Sequence, residues 1–150
     1  MKLIRFGEAG KEKPGLQLQD GSWVDVSAFG EDYTEDFFEN DGLNRLAAWL
    51  ESNDAPTVSQ ETRLGAPIKK PGKIVCIGLN FVDHAEESGL EAPSEPVVFF
   101  KATSAICGPN DDLVIPRDAE KTDWEVELAV VIGKKASYVT EDEAFDYVAG

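Results

Sequence analysis

Gly15-Leu16-Gln17-Leu18-Gln19-Asp20-Gly21-Ser22-Trp23-Val24-Asp25-Val26 holds two alternating apolar runs joined across an Asp-Gly pair. Alternation sends every second side chain to one face of a pleated strand, and Asp-Gly suits a two-residue turn with φ > 0 at both positions. The segment predicts an antiparallel hairpin and, with it, a strand-rich chain. Upstream, Lys2–Phe6 alternates weakly and reads as another short strand. Downstream, acidic residues dominate from Glu31 to Asp41, which predicts a loop. Leu43, Leu46, Ala47 and Leu50 then recur at i, i+3, i+4 and i+7, the stripe of an amphipathic helix that also carries Trp49. Lys69-Lys70-Pro71-Gly72-Lys73 marks a joint, because Pro and Gly punctuate and the flanks are charged. This predicts a small N-terminal α+β domain at residues 1–70 and a second domain over 71–150.

The whole chain has 150 residues, 42% of them hydrophobic and 29% charged, enough apolar matter to bury a core. Fourteen Lys and Arg against twenty-nine Asp and Glu leave a net charge of −15. A field of that sign repels phosphate backbones and anionic lipid, so neither nucleic acid nor a membrane surface is expected as a partner. No apolar run reaches the roughly 20 residues needed to span a bilayer. Met1-Lys2-Leu3-Ile4-Arg5 reads as a strand and not as a signal peptide. Two cysteines, Cys76 and Cys107, are too few for a disulfide scaffold, which points to the reducing cytoplasm.

Beyond Gly72 the signals sharpen. Ile74-Val75-Cys76-Ile77 reads as a strand buried on both faces. Asn80 is placed to cap a helix that Gly89 would end. Pro96–Ala102 and Leu113-Val114-Ile115 read as strands on either side of the turn Gly108-Pro109-Asn110-Asp111. Glu125–Gly133 is the strongest strand pattern in the chain. Thr140-Glu141-Asp142-Glu143 has the form of a capping box for a helix burying Ala144, Phe145 and Val148. No partner strand follows that helix, which predicts a truncated chain.

Three groups could carry chemistry. In Trp124-Glu125-Val126-Glu127-Leu128, alternation puts both carboxylates on one face, their Cα atoms roughly 7 Å apart. Such a pair suits a hard cation such as Mg²⁺, Mn²⁺ or Ca²⁺, or simply points into solvent; Asp123 has the same parity. His84 is the single histidine, and Glu87 follows it at helical i+3 spacing. A carboxylate beside an imidazole fixes its tautomer and raises its basicity, as a general base requires, although a surface ion pair has the same spacing and Asp83 and Glu86 are also near. Lys101 closes the apolar run Phe99-Phe100-Lys101, where it could meet an anionic substrate or snorkel to water. Ser104 lacks a nucleophile-elbow setting, Cys76 reads as inert core, and no phosphate-binding glycine loop occurs.

Cys76-Ile77-Gly78-Leu79-Asn80-Phe81-Val82-Asp83-His84-Ala85-Glu86-Glu87 resembles the "GxNYxDHxxE" stretch of the fumarylacetoacetate hydrolase family. The likeness continues through Glu95–Lys101 and Gly108–Asp111, and Thr122–Leu128 is similar to that family's "DxExEL" strand. Order and spacing agree over about the second half of the chain. The first seventy residues resemble, less specifically, the variable N-terminal domain of the shorter bacterial members.

This resemblance implies an α+β fold with a strand-rich mixed sheet or β-roll catalytic domain. It implies a homodimeric enzyme using Mg²⁺ or Mn²⁺, with Ca²⁺ as a further candidate. Glu125 and Glu127 take the place of metal ligands, His84 and Glu87 that of the water-activating pair, and Lys101 that of a substrate-lining lysine. Phe81 departs from the family tyrosine. The family's third ligand, an Asp in "GYxxxNDxS", and a later lysine have no counterpart here. The implied reaction is hydrolysis of a C–C bond in an acylpyruvate or other 2,4-diketo acid, through activated water and a metal-stabilised enolate. Isomerisation, decarboxylation or ureidoglycolate lysis of a related 2-oxo acid uses the same site, and a non-catalytic binding domain is the remaining alternative. Lys121–Leu128 looks most like members assigned to 2,4-diketo-3-deoxy sugar acids or labelled ureidoglycolate lyases.

Overall fold

The computed structural model describes residues 1–150 and shows a mixed α+β, strand-rich fold. The chain forms two compact units, Met1–Lys69 with Cys107–Gly150, and Lys70–Ile106. In the first, β1 (Lys2–Phe6), β2 (Lys13–Gln17), β3 (Trp23–Asp25) and β4 (Thr57–Val58) make an antiparallel sheet in sequence order.

The β2–β3 hairpin pairs Leu16 with Val24 and Gln17 with Trp23. Its turn differs from the two-residue form. Leu18 N–H donates to Ser22 O at 2.9 Å and Gly21 N–H to Leu18 O at 3.1 Å, and only Gly21 has positive φ, at 89°. This is a three-residue loop in which a glycine takes the left-handed position after a tight turn. Asp20 locks it by accepting from Ser22 N–H and Oγ at 2.9 and 2.6 Å.

The acidic stretch after Glu31 is not a loop throughout: α1 spans Glu35–Glu39. Thr34 caps it by accepting from Phe37 N–H, and Glu35 and Asp36 favour the positive end of the helix dipole. Charge hid a local apolar motif, because Tyr33, Phe37 and Phe38 are buried between the carboxylates. They join Leu16, Val24, Val26 and Leu46 in one core cluster, with Leu46 supplied by α2 (Gly42–Leu50). Edge-on ring contacts run from Tyr33 to Phe37 and from Phe37 to Phe38, at centroid separations of 5.2 and 5.1 Å. The Tyr33 hydroxyl donates to Gly15 O at 2.7 Å, and burial pushes its phenol well above the usual range.

A chain of alternating charges crosses this unit. Arg5, 6% exposed, donates from Nε and Nη2 to the two oxygens of Asp32 at 2.8 and 3.0 Å. Lys69 Nζ reaches the same carboxylate at 3.1 Å. Arg63 bridges Glu12 at 2.9 Å and grips Asp111 with two bonds of 2.6 Å. Asp111 also accepts from Gly108 N–H at 2.7 Å, closing the turn at 108–111. A Cβ on Gly108 would stand 2.1 Å from Leu64 O, so only glycine fits there.

Three patterned segments take other forms. Leu113–Ile115 and Trp124–Val130 belong to no strand, and Leu128 is 87% exposed. Alternation marks a segment able to pair, but a strand exists only where a neighbour completes its ladder. Pairing begins at Val131, whose N–H donates to Gly150 O at 2.7 Å, and an isolated bridge joins Ile132 to Val148. The end of the chain therefore lies against residues 131–133 and does not continue a helix. Thr140 and Glu143 bond through hydroxyl and carboxylate at 2.7 Å, but only a 3₁₀ turn follows, at Ala144–Tyr147, and Phe145 is exposed.

The second unit pairs β5 (Ile74–Gly78) antiparallel with β6 (Val97–Lys101), and α3 (Val82–Glu87) lies between them in sequence. β5 alternates between half-buried and exposed residues and is not buried on both faces, since Val75 is 53% exposed. A two-stranded sheet has no second layer to cover both its faces. The N-cap of α3 is Phe81 and not Asn80, with no side-chain cap bond. Its exit is set by Gly89 at φ 66°, where Gly89 N–H donates to Glu86 O and Leu90 N–H to Ala85 O. No helix is long and apolar enough to cross a membrane.

Arg5→Met is expected to cost about 3–5 kcal/mol in urea unfolding, because it leaves Asp32 buried with less compensation. The acid limb has a definite sign. Burial pushes the Asp32 and Glu12 carboxyls up, but hydrogen bonds and nearby cations outweigh it and hold both below their usual range; bonds from Arg63 and Gly108 lower Asp111. The unfolded chain therefore takes up protons first. Stability from these groups should be complete above their unfolded values, near about 4, and be lost as pH falls through the lower native ones. Urea midpoints measured from pH 7 to 3 test this; a curve flat to pH 3 would contradict it.

Candidate functional site

Helix α3 carries the first pair. Its start follows β5 and its end is fixed by the Gly89 turn, so six residues make a short, defined helix. His84 and Glu87 are both exposed on it and share a face at i, i+3. Asp83 and Glu86 stand one and two positions from His84 and do not face it along the helix. Asp83 instead accepts from the His84 backbone N–H at 3.0 Å. Between the candidate carboxylates, helix geometry thus singles out Glu87 as the one on the histidine's side. Lys101 closes β6 opposite Ile74.

Glu125 and Glu127 lie in the other compact unit, on the exposed segment without strand structure. Two carboxylates at i, i+2 are the right donor chemistry for a hard divalent cation. They are not a complete coordination shell, and no group of three or more His, Cys, Asp or Glu side chains is arranged to hold a metal. Cys76 and Cys107 are free thiols.

Sequence reasoning passed over a cleft of about 370 Å³ on the first unit, lined by Trp23, Gln60, Arg63, Asn110 and Asp112 among others. Its guanidinium is engaged: Asp111 and Glu12 both bind Arg63 and raise its pKa further. None of the candidate catalytic or metal-binding residues lines it. Arg63 and Asp111 are 48 residues apart, and no local pattern announces such a pair.

Comparison with known proteins decides the family. The family described as "Fumarylacetoacetate (FAA) hydrolase C-terminal" matches residues 73–150. The chain belongs to the fumarylacetoacetate hydrolase family. Among curated relatives, a Burkholderia multivorans protein named "Putative hydrolase" is 52% identical over 150 residues, covering all of this chain and 53% of that protein. A Burkholderia lata protein of similar name is 51% identical with the same coverage. The chain spans about half the length of the curated relatives it matches. Among solved structures, one described as a "putative HpcE protein from Mycobacterium smegmatis" superposes with a TM-score of 0.78 at 33% identity, over all of this chain and 52% of that one. The fumarylacetoacetate hydrolase of Exiguobacterium antarcticum gives 0.66 at 29% identity, with 53% of its chain covered. Both solved structures share this fold.

His84 and Glu87 belong to no packing cluster, so their replacement separates chemistry from stability. His84→Ala and Glu87→Gln are each expected to change unfolding free energy by less than about 0.5 kcal/mol. A loss above about 2 kcal/mol in either variant would reassign the pair to a structural role.

Proposed function

We propose that this chain contributes the water-activating pair and two metal-binding carboxylates to a divalent-metal-dependent hydrolase that cleaves a C–C bond in an acylpyruvate or related 2,4-diketo acid. The observation that carries the reading is His84 with Glu87 on one face of α3, inside the stretch that matches the family. Glu87 would hold the imidazole in one tautomer, leaving the other ring nitrogen free to take a proton from water. Glu125 and Glu127 would hold Mg²⁺ or Mn²⁺, and the ion, when bound, supplies Lewis acidity toward keto and carboxylate oxygens. Lys101 would meet the substrate's carboxylate. A homodimer in the cytoplasm acting on a small 2-oxo acid completes the proposal.

The test uses a single polypeptide in which residues 1–150 are followed by the second half of the Burkholderia multivorans relative. Decay of an acylpyruvate enol, followed by ultraviolet absorbance, should require Mg²⁺ or Mn²⁺, stop with excess chelator and yield pyruvate. His84→Ala should lower kcat by about 10²–10⁴-fold while metal affinity stays. Glu127→Ala should lose both. Metal-dependent decay without pyruvate would replace hydrolysis with isomerisation or decarboxylation. Equal loss of metal in the His84 variant would end this division of roles.

A further inference from the structure

We propose that the left-handed turn at Leu79 is a positioning device that aims α3, and with it His84, from the end of β5; the inference rests on His84 acting as proposed above. Five residues other than glycine have positive φ: Asp41, Lys70, Leu79, Asp118 and Tyr138. Only Leu79, at 51°, lies in the turn that leads into a helix carrying a candidate residue. This conformation crowds the Cβ against the following carbonyl oxygen; aspartate can offset that cost by bonding locally, which leucine cannot do. Gly78 stands one residue earlier and uses none of glycine's freedom. It pairs with Val97 at the end of the β5–β6 ladder, its φ is outside the left-handed region, and an added Cβ would meet Phe99 and Val97 at an ordinary 3.5 Å. The chain thus holds a glycine where an L side chain fits and a leucine where glycine would be unstrained.

Strain of this kind persists where the surrounding structure over-determines it, and it collects at functional sites. Both sides of the turn are fixed. β5 ends on the Gly78–Val97 pair, and α3 starts at Val82 after Phe81, which is extended at φ −120° and ψ 131°. A side-chain cap often holds a helix entry, but the N-cap Phe81 makes no such bond. The entry of α3 is therefore set by the backbone of Leu79 to Phe81, with Leu79 supplying the bend. At the exit the same conformation recurs at Gly89, φ 66°, where glycine adopts it freely. Leu79 is half-buried, so its apolar side chain and its φ are separate candidates for the role. The role falls to φ, because His84 is exposed and meets a reacting water only in the direction that the turn gives its helix.

Three substitutions separate φ from the side chain. Leu79→Ile keeps the apolar volume but branches at Cβ, which the left-handed region disfavours most strongly. Leu79→Asn and Leu79→Gly give up the apolar side chain and keep the conformation. In the polypeptide joined to the second half of the Burkholderia multivorans relative, Leu79→Ile should lower kcat on the acylpyruvate by about 10²-fold, with KM within about 3-fold. Leu79→Asn should stay within about 3-fold of the parent in both constants. His84 is the single histidine, so its imidazole proton signal in the 150-residue chain reports its placement without turnover. That signal should move in Leu79→Ile and hold its position in Leu79→Asn and Leu79→Gly. Equal losses in Leu79→Asn and Leu79→Ile would overturn the proposal, and so would an Ile variant with parental kcat and signal. Should Leu79→Ile fail to fold, the other two variants decide: a parental His84 signal upholds the proposal and a displaced one ends it. Absence of turnover in the joined parent would count only against the proposed reaction, and the His84 signal would still decide the role of the turn.

Discussion

Arg5 is the constraint on which the first unit depends. A guanidinium with 6% of its surface exposed must satisfy its donors internally, and it does so on Asp32 and on the backbone oxygen of Glu12. Asp32 in turn directs Tyr33 into the core, accepting its backbone N–H at 2.9 Å while the Tyr33 hydroxyl reaches β2. Glu12 carries the charge alternation on to Arg63, and Arg63 to Asp111. The result ties β1, the loop before α1 and the segment after Cys107 together by directional bonds. Hydrophobic burial around Phe37 and Leu46 supplies the non-directional part, and the charges select which segments meet.

The two candidate pairs are prepared to different degrees. His84 and Glu87 need only one turn of helix to face each other, and α3 supplies it with a glycine-closed end. Glu125 and Glu127 need a ladder, because only a pleated strand holds alternate side chains on a common face. Their segment lacks that ladder, so local geometry alone does not aim them. A pair set by a helix is assembled by near neighbours; a pair set by a sheet waits for distant ones.

Several elements were legible from residues alone. The hairpin at residues 15–26, the helix at 42–50, the β5 and β6 strands, the Gly89 exit and the spacing of His84 to Glu87 all follow from patterns within a dozen residues. The family stretch from residue 73 onward is equally local. Misreadings fell where a partner decides. The acidic run concealed α1 because burial of Phe37 and Phe38 outweighs the surrounding charge, and Asn80 yielded the cap position to Phe81. Glu125–Gly133 has the strongest alternation in the chain, yet most of it is no strand, because alternation states a capacity to pair and not the presence of a partner.

By itself, then, the sequence determined the strand-rich α+β character, the family and the candidates for chemistry. Each depends on residue type and short spacing, which the backbone's periods of 2 and 3.6 convert directly into faces. Tertiary structure alone decided that Arg5 is buried on Asp32, that Arg63 joins Glu12 to Asp111, and that the end of the chain pairs with residues 131–133. Those contacts link residues tens of positions apart, where no local periodicity operates and complementary charge, volume and hydrogen bonding in three dimensions make the choice.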